Sequence, residues 1–223
     1  MLDIVGPDTH KPTSLWGISN KAKLNKRHRF QNLYRCLNEE LLLNCWPSLN
    51  KDASSGVDGV TWQRYAQDLH ANVKALVARL KAKQYRAKLV LRRYIPKGDD
   101  KLRPLGIPVI EDKLVQSGCA RILIAIYEQD FLPVSYGYRP NRSAQDAVRD
   151  LTFDLQFGCY GHVVEADIQG FFDHMDHDWL LTMLQERIDD RAFLALIRKW
   201  LKAGILETDG QVVHPDTGCP QGA

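Results

Sequence analysis

The sequence predicts an α+β fold. Several segments repeat apolar residues at three- and four-residue steps, the period of a helix with one buried face. Between them lie short strand-like runs bounded by tight turns, and these pair off as antiparallel hairpins. Helices mixed with hairpins argue against a regular series of strand–helix–strand units. A length of 223 residues with 44% hydrophobic content is enough to bury a core in one or two compact domains.

Taken in order, residues 1–25 are polar, interrupted by Pro7, Pro12 and Gly17, and read as an extended arm. From Arg27 to Trp46, Phe30, Leu33, Leu37, Leu41 and Cys45 form one apolar stripe and predict a helix that Pro47 ends. The turn formers of NKDASSGVDGV make a loop. Thr61 is placed to cap a second helix running to about Lys83, with Tyr65, Leu69, Val73, Leu76 and Leu80 inward. LVLRRYIP and LRPLGIP read as strands joined by the turn KGDDK, giving a basic β-hairpin. Residues 111–127 form an apolar helix around Leu114, Val115, Cys119, Ile122 and Ile126. A loop, DFLPVSYGYRPNRS, leads to a helix capped by Ser143, and HVVEAD reads as a short buried strand. Asp176 caps the next helix, through Trp179, Leu180 and Leu184, another spans about 190–203, and ILETDGQVV turns at Asp209-Gly210. There is no internal repeat or low-complexity segment.

Composition narrows the class. No apolar run approaches the ~20 residues of a membrane helix, and MLDIVGPDTHKPTS lacks the pattern of a signal peptide. The five cysteines are scattered, with no Cys-x-x-Cys pair, so neither zinc ligation nor a disulfide framework is expected. A reducing, cytoplasmic setting is the simplest reading. The net charge of +3 conceals an asymmetry: residues 11–104 carry a net +13 and residues 105–223 a net −8. A basic half suggests a polyanion partner, and an acidic half suggests cation binding; lysines that merely solvate helix faces are the alternative.

The stretch VVEADIQGFFDHMD is the most informative. A carboxylate at the end of a buried strand, as Asp167 would be, is costly unless paired or bound to a cation. Magnesium takes such hard oxygen ligands and bridges them to phosphates. The alternative is that Asp167 only caps a turn. Asp173, His174, Asp176, His177 and Asp178 are dense enough for a second metal site, but capping of the next helix with solvent-exposed histidines explains them more simply. His162 reads as structural or exposed. Lys81, Lys83, Arg86, Lys88, Arg92 and Arg93 could track a phosphate backbone or simply solvate a helix end and hairpin.

VVEADIQGFFDHMDHDWL resembles the first metal-binding motif of group II intron and related bacterial reverse transcriptases. SGVDGVTWQRY resembles the block before their fingers, and RRYIPKGDDKLRPLGIPVIEDKLVQ their fingers hairpin. SYGYRPNRSAQDAV resembles the palm helix that follows, and TGCPQGA the block with a Pro-Gln-Gly turn. The resemblance covers about residues 54–223, in the family's order. It implies a right-hand polymerase: an N-terminal arm and helix over 1–53, fingers over 54–127 and a partial palm over 128–223. Asp167 would be a catalytic, magnesium-binding aspartate, aided by the Ile168 backbone carbonyl. Phe172 would be a steric gate against the ribonucleotide 2′-hydroxyl. Lys97 and Arg103 would hold the triphosphate, a task suited to a compact ammonium and a forked guanidinium; an ordinary exposed basic hairpin is the bland alternative. Gln221 would lie near nucleotide and template. Partners implied are an RNA template, RNA–DNA duplex and deoxynucleoside triphosphates, with intron RNA a further candidate, and the implied cofactor is Mg2+.

The implied reaction is RNA-directed DNA synthesis by two magnesium ions. The family's second metal motif, Tyr-x-Asp-Asp, does not occur in this sequence. The expectation is therefore that this chain is inactive alone, as a fragment of a longer product or a truncated relic. A rival reading is a non-catalytic RNA-binding protein that assists intron splicing.

Overall fold

The computed structural model describes residues 14–96 and 102–219. The chain forms two compact units: Met1–Lys26 with Leu123–Gln169, and Arg27–Ile122 with Gly170–Ala223. Mixed helices and an open sheet bear out the α+β expectation. None of the described helices is long and apolar enough to cross a membrane.

The arm expected at the N-terminus contains a helix, α1 (Leu15–Leu24), instead. The Ser14 hydroxyl accepts from the Gly17 amide at 3.0 Å, and Ile18 and Ala22 face inward at a four-residue step. Two apolar residues make too weak a stripe to be seen among polar neighbours. In the same unit Gln129 donates to the Ser19 hydroxyl at 3.1 Å, and Lys26 bonds the Gln129 carbonyl. The loop after Tyr127 is organised by Arg139, which donates to Glu128 (2.7 Å) and to the Leu132 and Ser135 carbonyls (2.8 and 2.6 Å). Helix α6 (Ala144–Phe157) starts in a reciprocal cap between Ser143 and Asp146, as Ser143 suggested, but buries none of its residues.

The second unit holds the larger core. The helix expected over Arg27–Trp46 is broken into a 3₁₀ turn, Leu33–Cys36, and α2 (Glu39–Cys45). Asn32 adopts a left-handed conformation at φ 59°, and the Asn38 side chain caps α2 by accepting from Leu41 at 2.9 Å. Side-chain capping competes with helix continuation, yet all five residues of the stripe remain buried. Thr61 caps as expected, but the helix divides into α3 (Trp62–Ala66) and α4 (Leu69–Lys81). Helix α5 (Ile110–Tyr127), whose residues from Leu123 on belong to the first unit, buries Leu114, Val115, Cys119, Ile122 and Ile126. Helices α7 (His177–Gln185) and α8 (Arg191–Leu201) begin at Asp176 and Asp190, each accepting backbone amides.

Strands β1 (Val90–Pro96) and β2 (Leu102–Ile107) form the expected antiparallel hairpin; its turn lies outside the described residues. Strands β3 (Ile205–Leu206) and β4 (Val212–Val213) form a second one, with Gly210 at φ +86°. Strand β3 pairs in parallel with β1, giving one sheet in the order β2-β1-β3-β4.

The strand expected over HVVEAD is absent. Residues 162–167 have no regular structure and all are exposed, with Val163 and Val164 at 63% and 91%. A strand exists only where a neighbour completes its hydrogen-bond ladder, and the first unit holds no described strand to do so.

Candidate functional site

Three of the site residues expected from sequence fall in the block around Asp167, and the structure treats the two halves of that block differently. Asp167 and Ile168 close the first unit, and both are exposed on irregular backbone. This overturns the argument that Asp167 is a buried carboxylate requiring a cation, since its charge is already solvated.

From Gly170 onward the block is held in place. The Asp173 and His174 amides both donate to the Gly170 carbonyl, at 2.9 and 3.0 Å. Residues 217–219 lie against this turn. The Cys219 amide donates to the Phe172 carbonyl (2.8 Å), and the Gly218 amide to Met175 (2.7 Å). The Thr217 hydroxyl donates to the Asp173 carbonyl at 3.3 Å, and Asp176 and Thr217 form an isolated antiparallel bridge. Gly218 makes the approach possible. Its φ is +81°, and a Cβ there would sit 2.7 Å from the Asp173 carbonyl oxygen.

His177 belongs to this union. Contrary to the expectation of exposed histidines, it is 5% exposed, with Nε2 2.6 Å from the Gly218 carbonyl. A carbonyl only accepts, so that nitrogen carries the proton. The partner lies 41 residues away, so local sequence gives no sign of it. Asp176 caps α7 by accepting from Trp179 at 2.8 Å, and Asp178 pairs with Arg198 at 2.9 Å. Burial pushes the Cys219 thiol up, with nearby Asp173 acting in the same direction, so it is no ready nucleophile.

Phe172 is half-buried and meets Phe171 edge-on at 5.4 Å between ring centroids. Its backbone is thus bonded to a residue two positions before Gln221, which lies outside the described residues, as does Lys97. Arg103 sits on β2 opposite Ile95 and is exposed. Strand alternation puts Arg93 on the same face. Arg92 points the other way, donating to Glu207 at 3.1 Å, and Tyr94 joins it there at 3.2 Å. Arg92 therefore drops out of the cations available to a phosphate, and Lys88 is engaged by Asp58 at 3.0 Å.

Among the described residues, no group of three or more His, Cys, Asp or Glu side chains is placed to hold a metal ion.

Comparison with known proteins bears out the family resemblance. The profile of the family described as reverse transcriptase (RNA-dependent DNA polymerase) matches residues 95–223. The group II intron-encoded protein LtrA of Lactococcus lactis subsp. cremoris is 37% identical over 219 residues, covering 95% of this chain and 36% of that protein. Protein YkfC of Escherichia coli strain K12 is 37% identical over 172 residues, covering 75% and 44%. The mitochondrial protein nuclear intron maturase 1 of Arabidopsis thaliana is 32% identical over 95 residues, 43% and 13%. The chain thus spans less than half the length of each of these relatives.

Proposed function

Since the chain belongs to the reverse transcriptase family and is homologous to group II intron-encoded proteins, we propose that it supplies the fingers and part of the palm of an RNA-directed DNA polymerase. The reaction is template-directed transfer of a deoxynucleotide to a primer 3′ end. Reverse transcriptases in general use divalent metal ions, and magnesium is the ion proposed here. Asp167 contributes one carboxylate to it, and the remaining ligands come from elsewhere.

The chain's own residues then do three things. Arg103, exposed on β2, offers its guanidinium fork to the triphosphate, with Lys97 following β1. Phe172 places a ring where a ribose 2′-hydroxyl would have to sit. The 217–219 segment holds the Phe172 backbone still. The observation that supports this reading most is the hydrogen-bonded union of Phe172–Met175 with Thr217–Cys219, because it joins two motif blocks more than 40 residues apart.

Primer extension on poly(rA)/oligo(dT) with magnesium tests it. The 223-residue chain alone is expected to give no product. A chimera continued beyond Ala223 with the corresponding part of the Lactococcus lactis relative is expected to extend the primer. Asp167→Asn in that chimera should abolish extension while duplex binding persists. An active Asp167→Asn chimera would show that this carboxylate is a turn residue.

A second reading, an RNA-binding splicing cofactor, draws on the likeness to nuclear intron maturase 1 and the basic N-terminal half. It predicts splicing assistance that Asp167→Asn leaves unchanged.

A further inference from the structure

In the second unit a cleft of about 590 Å³ opens between the chain entering β1, the end of α8 and the residue after β4. Its floor is apolar: Val57, Ala87, Leu89, Ala203 and Gly204. Its rim carries Arg86, Lys199 and Lys202, with His214 beside them, and Lys88, whose ammonium is paired with Asp58 at 3.0 Å. Two of these cations come from the half of the sequence that is acidic overall, so charge counting along the chain does not find the cluster.

The rim is built on a buried polar network. Asp112 is 3% exposed; its carboxylate accepts from the Tyr85 hydroxyl (2.5 Å) and the Lys88 amide (3.0 Å). Trp200 Nε1 donates to the Tyr85 hydroxyl (2.9 Å), and the Lys199 ammonium to the Tyr85 carbonyl (3.0 Å). A fully satisfied network of this kind fixes its members rigidly. It ties the backbone carrying Arg86 and Lys88 to α5 and α8. Lys199 is held by a neutral carbonyl, so its charge stays uncompensated. Asp58, from the SGVDGV block, orients Lys88. Arg86 and Lys202 are exposed and make no ion pair among the described residues. On one side the cleft adjoins a smaller one containing Asp176, Asp178 and Asp216, which shares Lys202 and His214. That acidic neighbour sets an edge that a polyanion would not cross.

We propose that this cleft binds the backbone of single-stranded RNA, with phosphates on the cationic rim and a sugar or base against the apolar floor. An apolar floor beside the cations of Arg86, Lys199 and Lys202 suits an alternating apolar and anionic chain better than a bare anion. The choice of RNA rests on the functional reading above; the cleft itself rests on the geometry.

The test uses the 223-residue chain and a labelled 20-nucleotide single-stranded RNA, with anisotropy measured from 50 to 300 mM KCl. Arg86→Ala with Lys202→Ala should weaken binding roughly tenfold and lower the log–log salt slope by about 1.4, at about 0.7 per phosphate contact on a single strand. Lys23→Ala with Lys74→Ala removes the same charge elsewhere and should change affinity less than about twofold. Cross-linking of wild-type protein to 4-thiouridine RNA should label peptides containing residues 84–89 or 199–204. Equal loss in both double variants, or cross-links only outside those peptides, would overturn the proposal. So would displacement of the RNA by low-millimolar inorganic phosphate, or tighter binding of the matching DNA. The polymerase reading fails separately, through an inactive chimera, and that result moves none of these readouts.

Discussion

Residues 163–169 and residues 170–178 are neighbours in one motif, yet they make opposite kinds of structure. The first stretch has Val163, Val164 and Ile168 exposed and no strand partner. In the second, the carbonyls of Phe172, Asp173 and Met175 accept from donors in 217–219, and that of Gly170 accepts from the Asp173 and His174 amides. The division between the two units falls between Gln169 and Gly170. A motif can be continuous in sequence while its order is supplied by separate sets of contacts. Apolar composition sufficed for neither half; what differs is whether another segment completes the backbone hydrogen bonds.

Hydrogen exchange gives the largest expected contrast. Amides of Val163–Asp167 should exchange near unstructured rates, while those of Gly218 and Cys219 should be slowed on the order of a thousandfold. Strong protection at Val163 and Val164 would show a strand there in solution and erase the distinction.

Glycine substitutions give the next. Gly218→Ala must adopt φ +81° against the 172–173 backbone, a strain of about 2 kcal/mol or more, lowering the melting temperature by roughly 5 °C. Gly161 has open space around the added methyl, so Gly161→Ala should change it by less than about 1 °C. A tolerated Gly218→Ala in thermal melts would mean that the 172–219 union is looser than its distances imply.

The smallest concerns sugar choice. In the chimera, Phe172→Ala should raise ribonucleotide incorporation about tenfold, the scale of a lost steric contact, with deoxynucleotide use little altered. Unchanged discrimination in a competition assay would remove Phe172 from the gate role and leave it a packing residue.

How much was legible beforehand follows from the range of each interaction. Helix α5 and the hairpins could be read because their signals are periodic or lie in adjacent residues. The caps at Thr61, Ser143 and Asp176 depend on residues three positions away. The break at Asn38 went unseen because an unbroken apolar stripe does not report a competing side-chain cap; the one at Gln67-Asp68, where no side chain caps α4, left no mark in the stripe either. The HVVEAD strand was misjudged because apolar composition says what a segment would bury, not whether a neighbour exists. His177 and Asp112 owe their burial to partners dozens of residues away. Of the candidate site, the family was legible; Phe172 and Arg103 lie on backbone held by described hydrogen bonds, and the buried setting expected for Asp167 is not what the structure has.

The parallel pairing of β1 with β3 also shapes the birth of the protein. Val90 meets Ile205, and Phe30 meets Ile188, so the second unit is closed by contacts spanning more than 100 residues, with 123–169 interposed. On a ribosome adding about 5–20 residues per second, the β1–β2 hairpin emerges many seconds before the strand that flanks it. Through that interval one edge of β1 has no partner, and closure carries the entropy of a long loop. The nascent chain therefore passes through a stage with an open sheet edge, the kind of surface that chaperones shield and that crowded synthesis penalises.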